Sequence, residues 1–286
     1  MNEKFSVLIA NYNNGRYLMD AINSVRRQSY HNWEIVIVDD CSTDNSAEIY
    51  KDLEKDNRIR VFFNNNNMGI GYTFHQLVGY AKGDICGLFG PDDVLADDAL
   101  QIMVEEHHKH SDASLINSTL YNTDKYLNVV SVSQYGCSIP KGESFLSYRK
   151  GITSFATFKK DYYEKTEGID PIMRRAVDHD LYYKLEEVGK VYYVDKPLYY
   201  YRHHGNNISL GEENMLTAHA WDIYAMVNAC KRRGISIENN ALMHIDTFVN
   251  YGINKGEMKV RESKSYKLGH AILHPIDSIR KIFQSV

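Results

Sequence analysis

At 286 residues, with 43% hydrophobic side chains and a formal charge of −4, the chain can bury a sizeable core and lacks the global basic field of a nucleic-acid binder. Its four cysteines (Cys41, Cys86, Cys137 and Cys230) form no CxxC pair, so reduced thiols in a cytoplasmic protein are expected, not a zinc site or disulfide framework. Met1-Asn2-Glu3-Lys4 leads into a strand without a signal-peptide apolar region, and no apolar run approaches the ~20 residues that span a bilayer. The 22 tyrosines are spread along the chain and read as amphipathic filling of interfaces and clefts.

In chain order, strands are predicted over residues 5–10, 33–38, 58–63 and 85–89, alternating with helices over 17–28, 45–53 and 72–81. The strands are nearly continuous apolar runs, such as Trp33-Glu34-Ile35-Val36-Ile37-Val38, and the first helix spaces Leu18, Ile22 and Val25 on one face. That rhythm predicts a mostly parallel sheet covered by helices on both faces. Ligands of such sheets bind beyond the carboxyl ends of the strands. The clusters Asn11-Tyr12-Asn13, Asp39-Asp40 and Asp92-Asp93 lie at those ends and should converge on one edge.

From residue 97 the pattern loosens. A helix over 99–110 precedes a strand at 113–117 and a hairpin-like stretch to 132. His107-His108-Lys109-His110 reads as solvated histidines at a helix end, not as a metal site. Residues 166–209 carry Val177-Asp178-His179-Asp180-Leu181 and Tyr199-Tyr200-Tyr201-Arg202-His203-His204, with a helix starting near Leu181. Further helices are predicted over 212–232 and 238–251. The tail over 264–283 spaces Ile272, Leu273, Ile276, Ile279 and Phe283 helically, with Pro275 imposing a turn or kink. It reads equally as a surface-lying membrane contact or as a segment docked on protein.

The turn after the first strand, Ala10-Asn11-Tyr12-Asn13-Asn14-Gly15, lacks GxGxxG, and no GxxxxGK[ST] occurs. A dinucleotide-dependent dehydrogenase and a P-loop enzyme are thereby disfavoured. Asp92 and Asp93 remain the most telling pair. Two carboxylates where a buried strand meets a loop need a cationic partner or a hydrogen-bond network, and a divalent ion shared with a diphosphate is the favoured partner. An Asp-rich turn is the plain alternative.

The ordered set of motifs resembles family 2 inverting glycosyltransferases, which bind nucleotide sugars on the GT-A fold. The matching pieces are Ser6-Val7-Leu8-Ile9-Ala10-Asn11-Tyr12-Asn13, Val38-Asp39-Asp40-Cys41-Ser42-Thr43-Asp44, Asn67-Met68-Gly69, Ala81-Lys82-Gly83-Asp84-Ile85 and the Asp92-Asp93 segment. Asp178-His179-Asp180-Leu181 and Tyr201-Arg202-His203-His204-Gly205-Asn206-Asn207-Ile208-Ser209 complete the series over roughly residues 4–210. The resemblance implies a GT-A domain over 1–210, divided into a nucleotide-binding part (1–97) and an acceptor-binding part (98–210), followed by a helical extension over 211–286.

It further implies that Ala10, Tyr12, Asp39, Asn67 and Asp92 bind the donor, Tyr12 lying against the nucleobase and Asp39 accepting from base or ribose. Asp92, Asp93 and His204 would hold Mn²⁺ or Mg²⁺ on the donor diphosphate, and Asp178 would be the general base. Asp180 would cap or pack the following helix. Gly90 replaces the first acid of the family's Asp-x-Asp-Asp, Val177 replaces the Glu of its Glu-Asp, and Phe74-His75 replace Arg-Asn, so a basic donor contact is either lost or supplied elsewhere, for example by Lys159 or Lys160. The implied activity is inverting transfer of a sugar, a UDP-sugar being favoured, to a hydroxyl of a glycan or lipid-linked glycan in cell-surface polysaccharide, lipopolysaccharide or glycoprotein glycan synthesis. The implied location is the cytoplasm or the cytoplasmic face of the inner membrane, with oligomerisation left open. A nucleotidyltransferase and a non-catalytic carbohydrate-binding relative are the alternatives.

Overall fold

The computed structural model describes residues 2–53, 55–148, 150–205 and 212–238. The strands are β1 (Phe5–Asn11), β2 (Trp33–Asp39), β3 (Ile59–Phe63), β4 (Ile85–Phe89), β5 (Val94–Leu95), β6 (Ala113–Thr123), β7 (Val129–Val132), β8 (Ala156–Lys159) and β9 (Lys190–Arg202). The helices are α1 (Gly15–Arg26), α2 (Ser46–Leu53), α3 (Ile70–Tyr80), α4 (Ala99–Lys109), α5 (Phe145–Tyr148), α6 (Lys160–Tyr163), α7 (Val177–Val188) and α8 (Glu212–Arg233). The predicted segments over 238–251 and 264–283, and Asn206-Asn207-Ile208-Ser209, lie outside the described residues.

One nine-stranded sheet has the order β3-β2-β1-β4-β8-β6-β9-β5, with β7 paired to β6. β1 runs parallel to β2 and β4, and β2 parallel to β3. β8 is antiparallel to both β4 and β6, whereas β6 and β9 are parallel. The first half is thus the expected parallel wound sheet, and the second half is mixed.

Alternation along β1 divides the core. Phe5, Val7 and Ile9 face Leu18, Ile22 and Val25 of α1, Tyr50 and Leu53 of α2, and Met103 and Val104 of α4. Leu8 and Ala10 face the other layer, where Leu77 of α3, Leu181 and Leu185 of α7, and Met226 and Ala229 of α8 meet. Burial on both faces is why these strands lack polar alternation. α8 begins where the helix at 212 was predicted and shares its core with α7.

Two helix starts differ from the predictions for local reasons. Asp44 Oδ2 accepts from Gly15 N (2.8 Å), so α1 begins at Gly15 and not at residue 17. The same carboxylate takes Ser46 N (3.0 Å) and Ser46 Oγ (2.6 Å) at the head of α2. α7 begins at Val177, not near Leu181, following Ala176 in the left-handed region at φ 54°. Asp180 therefore lies inside the helix, buried against Lys184 Nζ at 2.6 Å. His107 is also a correction. It is buried, its Nε2 lies 2.9 Å from Thr157 Oγ1 on β8, and burial holds its imidazole down at about 3, so only its neighbours in the His107–His110 run face water.

Candidate active site

The register of the parallel strands sets the site. Asn11 at the end of β1 pairs with Asp39 at the end of β2, while Ile9 pairs with Phe89 of β4, so the turn from Gly90 onward emerges beside Ala10 and Asn11. The three polar clusters converge as expected.

On the β1–β2 side the polar groups are tied to one another. Asn11 Nδ2 donates to Tyr50 OH (2.7 Å) and Ser46 Oγ (2.9 Å), and Tyr50 OH donates to Asp39 Oδ2 (2.6 Å). Burial, followed by the bond to Asp39, raises the Tyr50 phenol far above its ordinary value, which keeps it a donor. Asp39 Oδ1 accepts Ser42 N at 2.7 Å. Asp40 turns to the other side, where it accepts Asn64 Nδ2 and Met68 N at 2.8 Å each and Gly69 N at 2.7 Å. One carboxylate thereby seats the Asn67-Met68-Gly69 loop at the head of α3. Gly69 adopts φ 88°, a backbone that glycine tolerates without strain. Tyr12 is 46% exposed, Asn67 is exposed, and Ala10 is buried one residue before the end of β1.

The Asp92–Asp93 turn is built from below. Asp93 is buried, with Oδ1 accepting Arg202 N (2.8 Å) and Oδ2 accepting Tyr199 OH (2.6 Å). Burial, then the neighbouring charge of Asp92, pushes its carboxyl up to about 8. Asp92 reaches His204 instead: Oδ2 and Nε2 are 2.8 Å apart. The His204 ring packs on Tyr17 at 4.8 Å between centroids, and the Arg202 guanidinium lies 4.6 Å from the same ring. Arg202 also donates to Asp92 O (2.7 Å), Lys125 O (3.1 Å) and Asp20 Oδ2 (2.7 Å).

Gly90 has a steric reason. A β-carbon there would lie 2.5 Å from Asp93 Oδ2 and 3.1 Å from both Asp92 Oδ1 and Tyr199 OH. A first carboxylate at this position would require those side chains to shift.

Among the described residues no three acidic, histidine or cysteine side chains form a ready metal cage. The donor set nonetheless fits Mg²⁺ or Mn²⁺ on a diphosphate, because such ions take one or two protein groups and fill the remaining positions with phosphate oxygens and water. Asp92 and His204 are the adjacent oxygen and nitrogen donors, while Asp93 holds the turn beneath them through Arg202 and Tyr199.

A cleft of about 240 Å³ continues from this turn, walled by Phe74, Gly90, Arg174, Asp178, Tyr182 and Tyr199. Asp178 projects exposed from the first turn of α7, whereas Val177 turns into the core.

Neither candidate lysine reaches the turn. Lys159 Nζ donates to His110 O and Ser111 O, and Lys160 Nζ to Ala81 O. Lys159 pairs with Ile85 at the opposite end of β4, remote from the turn. Arg174 and Arg175 line the cleft instead. Sequence reasoning passed over Tyr17, Arg174, Tyr199 and Arg202. Only the Tyr199–Arg202 run carried a signal, an aromatic-rich stretch ending in a cation.

A parallel strand edge with paired acids and a neighbouring carboxylate-bearing cleft is the architecture of GT-A glycosyltransferases. Solved structures carry the same fold. Staphylococcus aureus TarS 1-349 in complex with UDP-GlcNAc matches at a TM-score of 0.67 and 18% identity, over 88% of this chain and 73% of that one. A mannosyltransferase from Pyrobaculum calidifontis, in complex with GDP-Man and Mn²⁺, matches at 0.57 and 12% over 98% and 88%. Residues 6–167 match the glycosyl transferase family 2 model, and the chain belongs to that family.

Among curated relatives, the chondroitin synthase of Escherichia coli is 30% identical over 206 residues, 72% of this chain and 30% of that protein. The hyaluronan synthase of Pasteurella multocida is 27% identical over 94% of this chain and 29% of its own length. The chain thus spans less than a third of these synthases.

Proposed function

We propose that this protein is a metal-dependent inverting glycosyltransferase, moving a sugar from a nucleoside diphosphate to a glycan hydroxyl in cell-surface polysaccharide, lipopolysaccharide or glycoprotein glycan synthesis. The observation that carries this reading is that Asp178 and Gly90, the residue that opens the turn bearing the Asp92–His204 pair, line one cleft. Residues 1–97 supply the donor site and 98–210 the acceptor side, with 211–286 as the helical extension. Tyr12, exposed at the mouth, offers a flat face to a nucleobase, and the Asn11–Tyr50–Asp39 network holds the carboxylate beside it. Ala10 and Asn67 would complete the donor site. A UDP-sugar is favoured, supported by the fold shared with a UDP-GlcNAc complex.

Asp92 and His204 would hold the divalent ion, with Asp93 holding the turn below them. When bound, that ion supplies Lewis-acid stabilisation of charge on the departing nucleoside diphosphate. Asp178 takes the proton of the acceptor hydroxyl as its oxygen bonds to the sugar C1. The C1–O bond to phosphate breaks on the opposite face, and the electron pair leaves with the diphosphate. Exposure of Asp178 suits this role, since an acceptor sugar must reach it. A location on the cytoplasmic face of a membrane, close to lipid-linked acceptors, is part of the proposal and rests on the amphipathic spacing of 264–283. Among the described residues no helix is long and apolar enough to cross a membrane.

Incubation with a panel of UDP- and GDP-sugars and oligosaccharide acceptors, followed by mass spectrometry, tests the reading. Sugar transfer with Mn²⁺, abolished by EDTA and by Asp178→Asn, is the expected result. Absence of UDP and GDP binding in Mn²⁺, together with unchanged turnover in Asp178→Asn, sinks it.

A further inference from the structure

We propose that Arg174 contacts the donor diphosphate and carries the charge compensation for the departing nucleoside diphosphate. This deepens, and rests on, the glycosyltransferase reading. Charge makes the demand. A divalent ion partly neutralised by Asp92 cannot by itself balance the charge growing on the leaving diphosphate, so a further cation is needed. The guanidinium of Arg202 is committed to Asp20 and to the carbonyls of Asp92 and Lys125. Lys159 and Lys160 stand at the far end of the sheet.

Arg174 is placed differently. It lines the cleft that holds Gly90 and Asp178, and it is exposed. Its Nη1 donates to Met68 O, which sets the guanidinium over the loop that Asp40 seats at the head of α3. The approach is close enough that a β-carbon on Gly69 would collide with it. Among the described residues no carboxylate lies within ion-pair distance of Arg174. A planar guanidinium with one N–H spent on a carbonyl keeps others for phosphate oxygens, a geometry that lysine does not reproduce. Phe74 and Arg175 line the same cleft, and Arg174 is the arginine whose guanidinium is tied to the Met68 loop.

Titrations with UDP and uridine, and in parallel GDP and guanosine, in Mn²⁺ test this on wild type, Arg174→Ala and Arg174→Lys. Arg174→Ala should weaken the diphosphate by about tenfold or more, the scale of one charge-assisted hydrogen bond, and leave the nucleoside unchanged. Arg174→Lys should fall between, and Phe74→Arg added to Arg174→Ala should recover part of the loss. Equal weakening of nucleoside and diphosphate means that Arg174 only props the Met68 loop, and overturns the proposal. So does unchanged diphosphate affinity with a raised KM for acceptor alone, which would move the anion to the acceptor. If wild type binds neither diphosphate, the glycosyltransferase reading falls as well.

Discussion

A β-carbon on Gly90 has no room, because carboxylates and a phenol already fill that corner. Restoring the family's first acid with Gly90→Asp is therefore expected to harm the protein. Overpacking of this kind costs about 1–3 kcal/mol, and it would displace the Asp92 and Asp93 side chains. A lower thermal midpoint and weaker Mn²⁺ binding by titration are the expected readouts. Asp178 makes the opposite prediction. It is exposed and outside the core, so Asp178→Asn should leave the midpoint unchanged while reducing kcat by about 10²–10⁴, the range of a general base, with donor KM little altered. Gly90 followed a predictable strand end, whereas Asp178 was legible only through the family resemblance, since the helix was expected to start beyond it, near Leu181. Arg174 was not legible, since nothing in its local pattern shows that the loop before α7 folds over Met68.

Among the elements, α4 is held to β8 by a buried histidine. His107 is neutral in the fold, with a folded value near 3 against about 6.5 for a free imidazole. A depressed imidazole makes protonation favour the unfolded chain, so its contribution is intact above pH 6.5 and declines as pH falls from there toward 3. By pH 5 the loss is about 2 kcal/mol, from 1.36 kcal/mol per unit. Urea midpoints measured from pH 7.5 to 4.5 should show this decline, and His107→Gln should flatten it. The His107–His110 run misled because its neighbours are polar, whereas helical spacing alone turns His107 inward. The strands show the same division. β1, β2 and β4 were readable as uninterrupted apolar runs, since both their faces are covered. β9 was not, because Lys190–Arg202 is largely half-exposed and contains Pro197, while β5 and β8 are too short for a periodic signal.

Over the whole molecule, the carboxyl-terminal helix and the catalytic layer share one core. Met226, Ala229 and Cys230 of α8 are buried in the layer that contains Leu181 and Leu185, on the same helix as Asp178. Removing residues 212–286 should expose that apolar face, lower the thermal midpoint by several degrees, and reduce turnover by loosening α7. Differential scanning calorimetry beside a transfer assay reads both effects, and a truncated chain that melts and turns over as the full one does would separate α8 from the fold.

Arg202 joins four parts of the molecule through one side chain: Asp20 on α1, Asp92 in the turn, its own strand β9, and Lys125 in the β6–β7 hairpin. One guanidinium therefore fixes the turn, α1, β9 and the β6–β7 hairpin relative to one another, so a displacement of any one of them is felt by the other three.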